Sequence, residues 1–350
     1  ARDAGYEVHI ASNKGTTAEI EQLNQEGLQF YPISFHRSST KPWQELKTLL
    51  ELTKLYKTVK PDIVHHVTTK PVLYGTLVAR WIGGIKILNA ISGLGYLFIA
   101  QDWKPYIKKT LLLLLYRVVL NNKKVWILFQ NPDDHVLFSH NKITYPGHAF
   151  IIRGSGVDLQ EFVYSTIPKG REKIILVARM LWDKGIGEFV EAASIIKQQG
   201  LDVEFVLVGS VDSGNPKSIA IEQLEQWNNS GIVNWLGERS DIFQLLTESH
   251  IAVLPSYREG LPKSLIEAAA VGRPIITTNV TGCREVVKDG VNGFLVPVRN
   301  ANELALAIQK MIDNPTLLAN MGKKSRLIAQ REFSTSSIVE KTLKLYKILE

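Results

Sequence analysis

Paired cysteines, long apolar runs and a dinucleotide-binding glycine fingerprint are all missing from this chain of 350 residues. Its one cysteine, Cys283, excludes an internal disulfide and a multi-cysteine metal site, so a reducing compartment is expected. The longest apolar cluster, Leu111–Tyr116, ends at Arg117, well short of the roughly 20 residues that a membrane span requires. No signal-peptide pattern is visible, and no short-period repeat or low-complexity tract interrupts the sequence. Gly93-Leu-Gly95 and Gly154-Ser-Gly156 both lack the third glycine of G-x-G-x-x-G, which argues against a nicotinamide oxidoreductase.

What is present is the balance of a globular protein, 45% apolar and 21% charged, with length for two domains. Charge is unevenly placed. Residues 1–150 hold 18 Lys and Arg against 11 Asp and Glu, whereas residues 151–350 hold 23 of each. The whole formal charge of +7 therefore belongs to the first half, which needs an acidic neighbour. Nucleic acid is not expected, because no recognition module or interleaving of basic and aromatic residues is found. Lys104-Pro-Tyr-Ile-Lys108-Lys109, the leucine run and Arg117 form a basic, very apolar helix. It reads either as a core helix with solvated lysines or as a surface resting on an anionic membrane.

Short β-branched runs alternate with helical stretches from end to end, the pattern of parallel α/β sheets. In the first half, residues 7–11, 30–33, 62–67, 86–91 and 125–129 read as strands, and 16–26, 43–59, 73–80 and 105–120 as helices. In the second, 173–177, 204–208, 233–236, 251–254, 275–277 and 294–296 are strands, with helices at 187–199, 218–227, 241–248, 265–270 and 302–313. The glycine-rich break Arg153–Asp158 predicts domains 1–152 and 153–335, with a last helix at 336–350 returning to the first. Ala1–Gly5 reads as a helix end with its glycine cap, so an earlier strand is expected ahead of it.

Two carboxylates, Glu259 and Glu267, bracket the segment Gly260-Leu261-Pro262-Lys263-Ser264 and the start of a helix. Gly260 permits close approach to a ligand, and Pro262 suits a first helical turn, whose free N–H groups and dipole favour a phosphate. At about 1.5 Å rise per residue Glu267 lies roughly 7–8 Å beyond Pro262, the reach from a diphosphate to its ribose. Arg179 and Lys184, around the end of the strand before them, can converge on the same diphosphate. The loops at Gly209 and at Leu236-Gly237 leave strand ends of the same sheet and would share one crevice.

Arg179…Lys184-Gly185, Leu236-Gly237, Glu259 through Glu267-Ala268 and Asp289-Gly-Val-Asn-Gly293 together resemble the retaining glycosyltransferases of family 4. Lys60-Pro-Asp-Ile-Val-His65-His66, Lys70-Pro71 and Ile91-Ser92-Gly93-Leu-Gly95 resemble the branch that builds capsule, O-antigen and glycan precursors on polyprenyl diphosphate. The resemblance implies a GT-B fold: two Rossmann-like parallel-sheet domains facing across a cleft, with acceptor in the first and donor in the second. It implies that Arg179 and Lys184 neutralise the donor diphosphate, Glu259 binds sugar hydroxyls and Glu267 the ribose. The backbone at Gly260, Leu261 and Ser264 would meet phosphate, with Gly209, Leu236 and Gly237 completing the donor pocket. Lys70, His65, Ser92, Gly93 and Gly95 are the acceptor-side candidates. A UDP-sugar donor, a polyprenyl-diphosphate-linked acceptor, no metal, no cofactor and a peripheral position on the inner face of the cell membrane are expected. Many members carry a histidine where this chain has Ser92-Gly93, and Gly282-Cys283-Arg284-Glu285 reads as a structural turn. A nucleotide-sugar epimerase or a non-catalytic nucleotide-sugar-binding subunit are the alternatives; acceptor-dependent nucleotide release separates them from a transferase.

Overall fold

The computed structural model describes residues 1–35, 42–94, 98 and 103–349. The chain divides into two compact units, one of residues 1–94, 102–152 and 339–350, the other of 95–101 and 153–338. Along the first unit run β1 (His9–Ser12), α1 (Thr17–Gln25), β2 (Gln29–Pro32), α2 (Pro42–Val59) and β3 (Ile63–Val67). A π-helical turn, Pro71–Gly75, leads into α3 (Thr76–Ile82), then β4 (Lys86–Ile91), α4 (Trp103–Leu120), β5 (Val125–Phe129), α5 (Pro132–His140) and β6 (Ala149–Ile151). Helix starts follow side-chain chemistry. Thr16 and Glu19 form a reciprocal capping box on α1, and the Asn131 side chain accepts the Asp134 N–H at 2.8 Å ahead of Pro132.

The second unit holds β7 (Glu172–Val177), α6 (Ile186–Gln198), β8 (Val203–Val208), α7 (Ile221–Asn229), β9 (Asn234–Trp235), α8 (Ile242–Thr247) and β10 (Ile251–Leu254). It continues with α9 (Lys263–Val271), β11 (Ile275–Thr278), α10 (Cys283–Val286), β12 (Gly293–Val296), α11 (Ala301–Ile312) and α12 (Pro315–Glu332). A last helix, α13 (Thr335–Leu349), starts in the second unit and ends in the first.

All sheet pairings among the described residues are parallel. In the second unit they give one six-stranded sheet ordered β12-β11-β10-β7-β8-β9, the doubly wound order, with β7 at the point where direction reverses. Its central strands are covered on both faces and therefore apolar throughout: every residue of β10 and β11 is buried. Helix α9 buries Leu265 through Val271, and its run Ala268-Ala269-Ala270 keeps bulk low where it packs against α12. In the first unit the strands form two sheets, β1-β2 and β3-β4-β5-β6.

Candidate functional site

The loops that leave the carboxyl ends of β7, β8 and β9 are laced together by main-chain hydrogen bonds. Ala178 N–H donates to the Val208 carbonyl at 3.0 Å, Met180 N–H to Ser210 at 3.0 Å, and Gly209 N–H to Gly237 at 2.7 Å. Gly209 has φ +144, and a Cβ there would strike the Ala178 carbonyl, so only glycine lets these loops close up. Trp235 Nε1 also donates to the Gly209 carbonyl, at 3.1 Å. The Leu236 N–H donates to the Leu207 carbonyl at 2.9 Å, so it continues the sheet.

The segment after β10 is tied to the turn after β7. Tyr257 N–H and the Ser256 hydroxyl both donate to the Asp183 carbonyl, at 2.9 and 3.1 Å. Gly185, left-handed at φ +74, lies so close to the Pro255 carbonyl that a Cβ would collide with it. These contacts bring Lys184 Nζ within 2.5 Å of Glu259 Oε1, with both side chains largely buried. An ammonium has three donors, so Lys184 can hold Glu259 and a phosphate oxygen together. On the other side of Glu259, its N–H donates to the Thr281 carbonyl at 3.0 Å, and Gly282 packs directly against the backbone of Glu259 and Gly260.

Pro262 stands at the N-cap of α9, one residue earlier than a first-turn position, and no side chain caps the helix. The first-turn amides, with Ser264 half-buried among them, are thus not satisfied by a capping side chain. One turn on, Glu267 is buried, with Lys263 Nζ at 3.4 Å; burial raises its carboxyl above the usual range despite that lysine. Arg179, half-exposed, lies 2.5 Å from Asp212 in the loop after β8. Its remaining donors leave room for a second anion.

Sequence reasoning missed Asp212 and Asp183. Asp183 sits beside Lys184 and Glu259; burial raises its carboxyl although Lys184 opposes the shift, and its Oδ1 is buried with no hydrogen-bond partner. The signal was available for both: Asp183 lies two residues before Gly185 and Asp212 three residues after Gly209, in loops already singled out. Arg179, Lys184, Glu259, Gly260 and the start of α9 are thus held by one stitched set of loops in the second unit.

In the first unit, β3 carries His65 and His66. His66 is buried with Nδ1 2.8 Å from Asn89 Oδ1 and Nε2 2.7 Å from the Tyr56 hydroxyl. Those partners assign the ring a neutral form that donates through Nδ1 and accepts through Nε2. Gly75 fits against the same ring, where any Cβ would overlap it. His65 Nδ1 lies 2.7 Å from the Tyr346 hydroxyl. Burial lowers both imidazoles to about 4. Just past the strand, Thr68 adopts φ 73, a strained conformation for a β-branched residue. Lys70 Nζ pairs with Glu45 at 2.6 Å at the head of the π-turn. Ser92 and Gly93, the latter at φ 138, follow β4. Gly95 lies outside the described residues. Among the described residues no group of three or more His, Cys, Asp or Glu could hold a metal ion.

A doubly wound sheet with cationic side chains and an uncapped helix start at its carboxyl edge belongs to proteins that handle nucleotide-linked substrates. The sequence profile described as Glycosyl transferases group 1 matches residues 159–327, and that described as Glycosyl transferase 4-like matches residues 1–131. The chain is 30% identical over 339 residues to the N,N'-diacetylbacillosaminyl-diphospho-undecaprenol alpha-1,3-N-acetylgalactosaminyltransferase of Campylobacter jejuni, covering 93% of this chain and 87% of that one. It is 28% identical over 317 residues to the UDP-Gal:alpha-D-GlcNAc-diphosphoundecaprenol alpha-1,3-galactosyltransferase of Escherichia coli, covering 87% and 79%. Among solved structures, HepE of Anabaena in complex with UDP and glucose superimposes with TM-score 0.79 at 19% identity, covering 97% of this chain and 91% of that one. Sucrose-phosphate synthase of Thermosynechococcus elongatus superimposes at 0.82 and 21%, covering 99% and 90%. The chain belongs to the group 1, family 4-like glycosyltransferases. It is a glycosyltransferase with the GT-B fold.

Proposed function

We propose that the second unit holds a UDP-sugar and the first a polyprenyl-diphosphate-linked saccharide, and that a hexose or N-acetylhexosamine passes between them with retention. The observation that carries this reading is the convergence of Arg179, Lys184, Glu259 and the uncapped start of α9 at the carboxyl ends of β7 and β10. In the transfer, the bond from the anomeric carbon to the diphosphate oxygen breaks and one to the acceptor hydroxyl oxygen forms. Negative charge grows on the departing diphosphate. Arg179, Lys184 and the first-turn amides of α9 meet it there, in a site built before the reaction begins. The acceptor proton leaves on a diphosphate oxygen, so no protein base is assigned and no metal is invoked. Glu259, fixed by Lys184, orients sugar hydroxyls, and Glu267 receives the ribose.

The names of the Campylobacter and Escherichia relatives, both transferases acting on diphospho-undecaprenol saccharides, support the acceptor class. The UDP in the second of those names and in the HepE complex supports the donor. For the acceptor side, strain at Thr68 beside Lys70 favours the carboxyl end of β3. A resting place on an anionic membrane is supported by α4, which exposes Leu111 at 60%, Leu114 at 56% and Val118 at 65% alongside Lys108 and Arg117. Helix α3, packed between α2 and α4, adds Trp81, exposed at 70% with Lys57 of α2 over its ring. No helix among the described residues is long and apolar enough to cross a membrane.

Calorimetry with UDP tests the donor half. Arg179→Ala and Lys184→Ala should each weaken binding about tenfold or more, the effect of losing a charged hydrogen bond worth about 1.5–3 kcal/mol. Unchanged affinity in both variants would remove the diphosphate from this place.

A further inference from the structure

Two other stretches of the second unit pack against the segment Glu259-Gly260-Leu261, and neither belongs to β10 or α9, the elements that carry it. One is the turn ahead of α10. Glu259 N–H donates to the Thr281 carbonyl at 3.0 Å, and a Cβ on Gly282, left-handed at φ +81, would lie 2.5 Å from the Glu259 carbonyl oxygen. The other is the stretch between β6 and β7. Gly154, left-handed at φ +68, lies so near Leu261 that a Cβ there would come 2.9 Å from its Cδ2. Glycine at both positions lets the two walls meet the segment at backbone distance.

Arg153, next to Gly154, joins the two walls. One guanidinium nitrogen pairs with Glu285 of α10 at 3.2 Å, and another with Glu332 at the end of α12. Lys288 Nζ also reaches Glu332, at 2.9 Å. Both carboxylates are largely buried. Burial pushes the Glu332 carboxyl up, but Lys288 and Arg153 more than offset it and hold the group below its ordinary range. A lone surface ion pair contributes little, whereas a bridged set with shielded carboxylates fixes geometry. Spanning two carboxylates is work for the planar fork of Arg.

The neighbouring contacts show what this bridge adds. Helix α10 is tied to α12 independently of it: Asn292 Nδ2 donates to the Val286 carbonyl at 3.1 Å, and Ser325 Oγ of α12 to the Asn292 carbonyl at 3.2 Å. Further along, Val157 N–H donates to the Phe333 carbonyl at 2.8 Å, and Thr335 N–H to the Val157 carbonyl at 3.0 Å. The turn at Gly282 and the chain at Val157 are therefore each anchored by main-chain and asparagine contacts. Gly154 stands between, and its immediate neighbour Arg153 is what draws it to α10.

We infer that Arg153 is a positioning residue for the donor segment: by bridging Glu285 and Glu332 it holds Gly154 against Leu261 and closes the second wall around Glu259-Gly260-Leu261. This rests on the reading of that segment as the donor site. Arg153 itself touches no donor; it acts through Gly154 and Leu261, holding a pre-built binding segment in place.

The test uses the full chain with Arg153→Met, Arg153→Lys, Leu261→Ala and the Arg153→Met/Leu261→Ala double variant. Backbone hydrogen exchange is read over residues 259–264, with β8 and β10 as internal reference, and UDP affinity is measured by calorimetry. Arg153→Met should speed exchange over 259–264 by tenfold or more and weaken UDP about tenfold, leaving the reference strands unchanged. Arg153→Lys, which keeps the charge but not the fork, should change both by about threefold in the same direction, and it carries the test if the methionine variant does not fold. In the Leu261→Ala background the further effect of Arg153→Met should vanish, because the contact through which it acts is gone. Unchanged exchange over 259–264, speeding shared equally by β8 and β10, or effects that simply add in the double variant would overturn the inference. A parent chain that binds no UDP would remove the donor reading instead, and the exchange result would still decide whether Arg153 holds this segment.

Discussion

Lys184 and Glu259 form the pair on which the proposed chemistry turns, and each restrains the other. Their 2.5 Å contact is largely withdrawn from water, so removing one charge alters what the other can do. Glu259→Gln keeps the shape and an acceptor oxygen but releases Lys184 for the diphosphate. UDP binding should therefore hold or tighten while transfer falls by about a hundredfold or more, the scale of losing one preorganised polar group. Transfer at the rate of the parent chain would sink the role given to Glu259. The buried imidazoles make a different prediction. With His65 and His66 held at about 4, against an ordinary value of 6.5, the folded chain binds fewer protons than the unfolded chain between those limits. Their contribution is complete above about pH 6.5 and drains away as pH falls toward 4. The melting temperature should drop between pH 7.5 and 5, and His66→Gln should shrink that drop. An identical pH slope in the variant would contradict it.

At the scale of elements, α4 carries the membrane reading. Tyr116, Val119 and Leu120 are buried, whereas Leu111, Leu114 and Val118 face solvent, so the helix serves a core on one side and offers an apolar, basic surface on another. Replacing Lys108 and Lys109 together by Glu should lower partitioning onto vesicles containing phosphatidylserine by about tenfold, roughly 1 kcal/mol per basic residue near such a surface. Equal partitioning would return α4 to a plain core helix. Much of this element layer was legible. Strands β4, β5 and β10 begin and end where their β-branched runs do, because buried parallel strands are written as unbroken apolar stretches. Helices α5 and α12 were missed, although Asn131-Pro132 and Asn314-Pro315 are start signals and both asparagines cap their helices. The apolar spacing of α5 is weak, so periodicity could not find it. Strand β9 shrank to Asn234–Trp235 because the residues after it turn into the Gly209–Gly237 contact. At the site, the glycines and cations were readable as types. Their pairings were not, since Arg179 meets Asp212, and Lys184 meets Glu259, only through folded loops.

The chain joins a second half of even charge, residues 151–350, to a first half, residues 1–150, that holds all of the surplus positive charge. That asymmetry suits a transferase whose second substrate is an anionic lipid-linked saccharide and whose first is a soluble nucleotide-sugar. An enzyme that only rearranged a nucleotide-sugar, or a subunit that only bound one, would have no use for an acceptor. The most direct test is UDP release from a panel of UDP-sugars, with and without a short polyprenyl-diphosphate saccharide. Release that depends on the acceptor and prefers one donor is the predicted result. Release that is the same without acceptor, or none from a folded chain that binds UDP, would contradict transfer to such an acceptor.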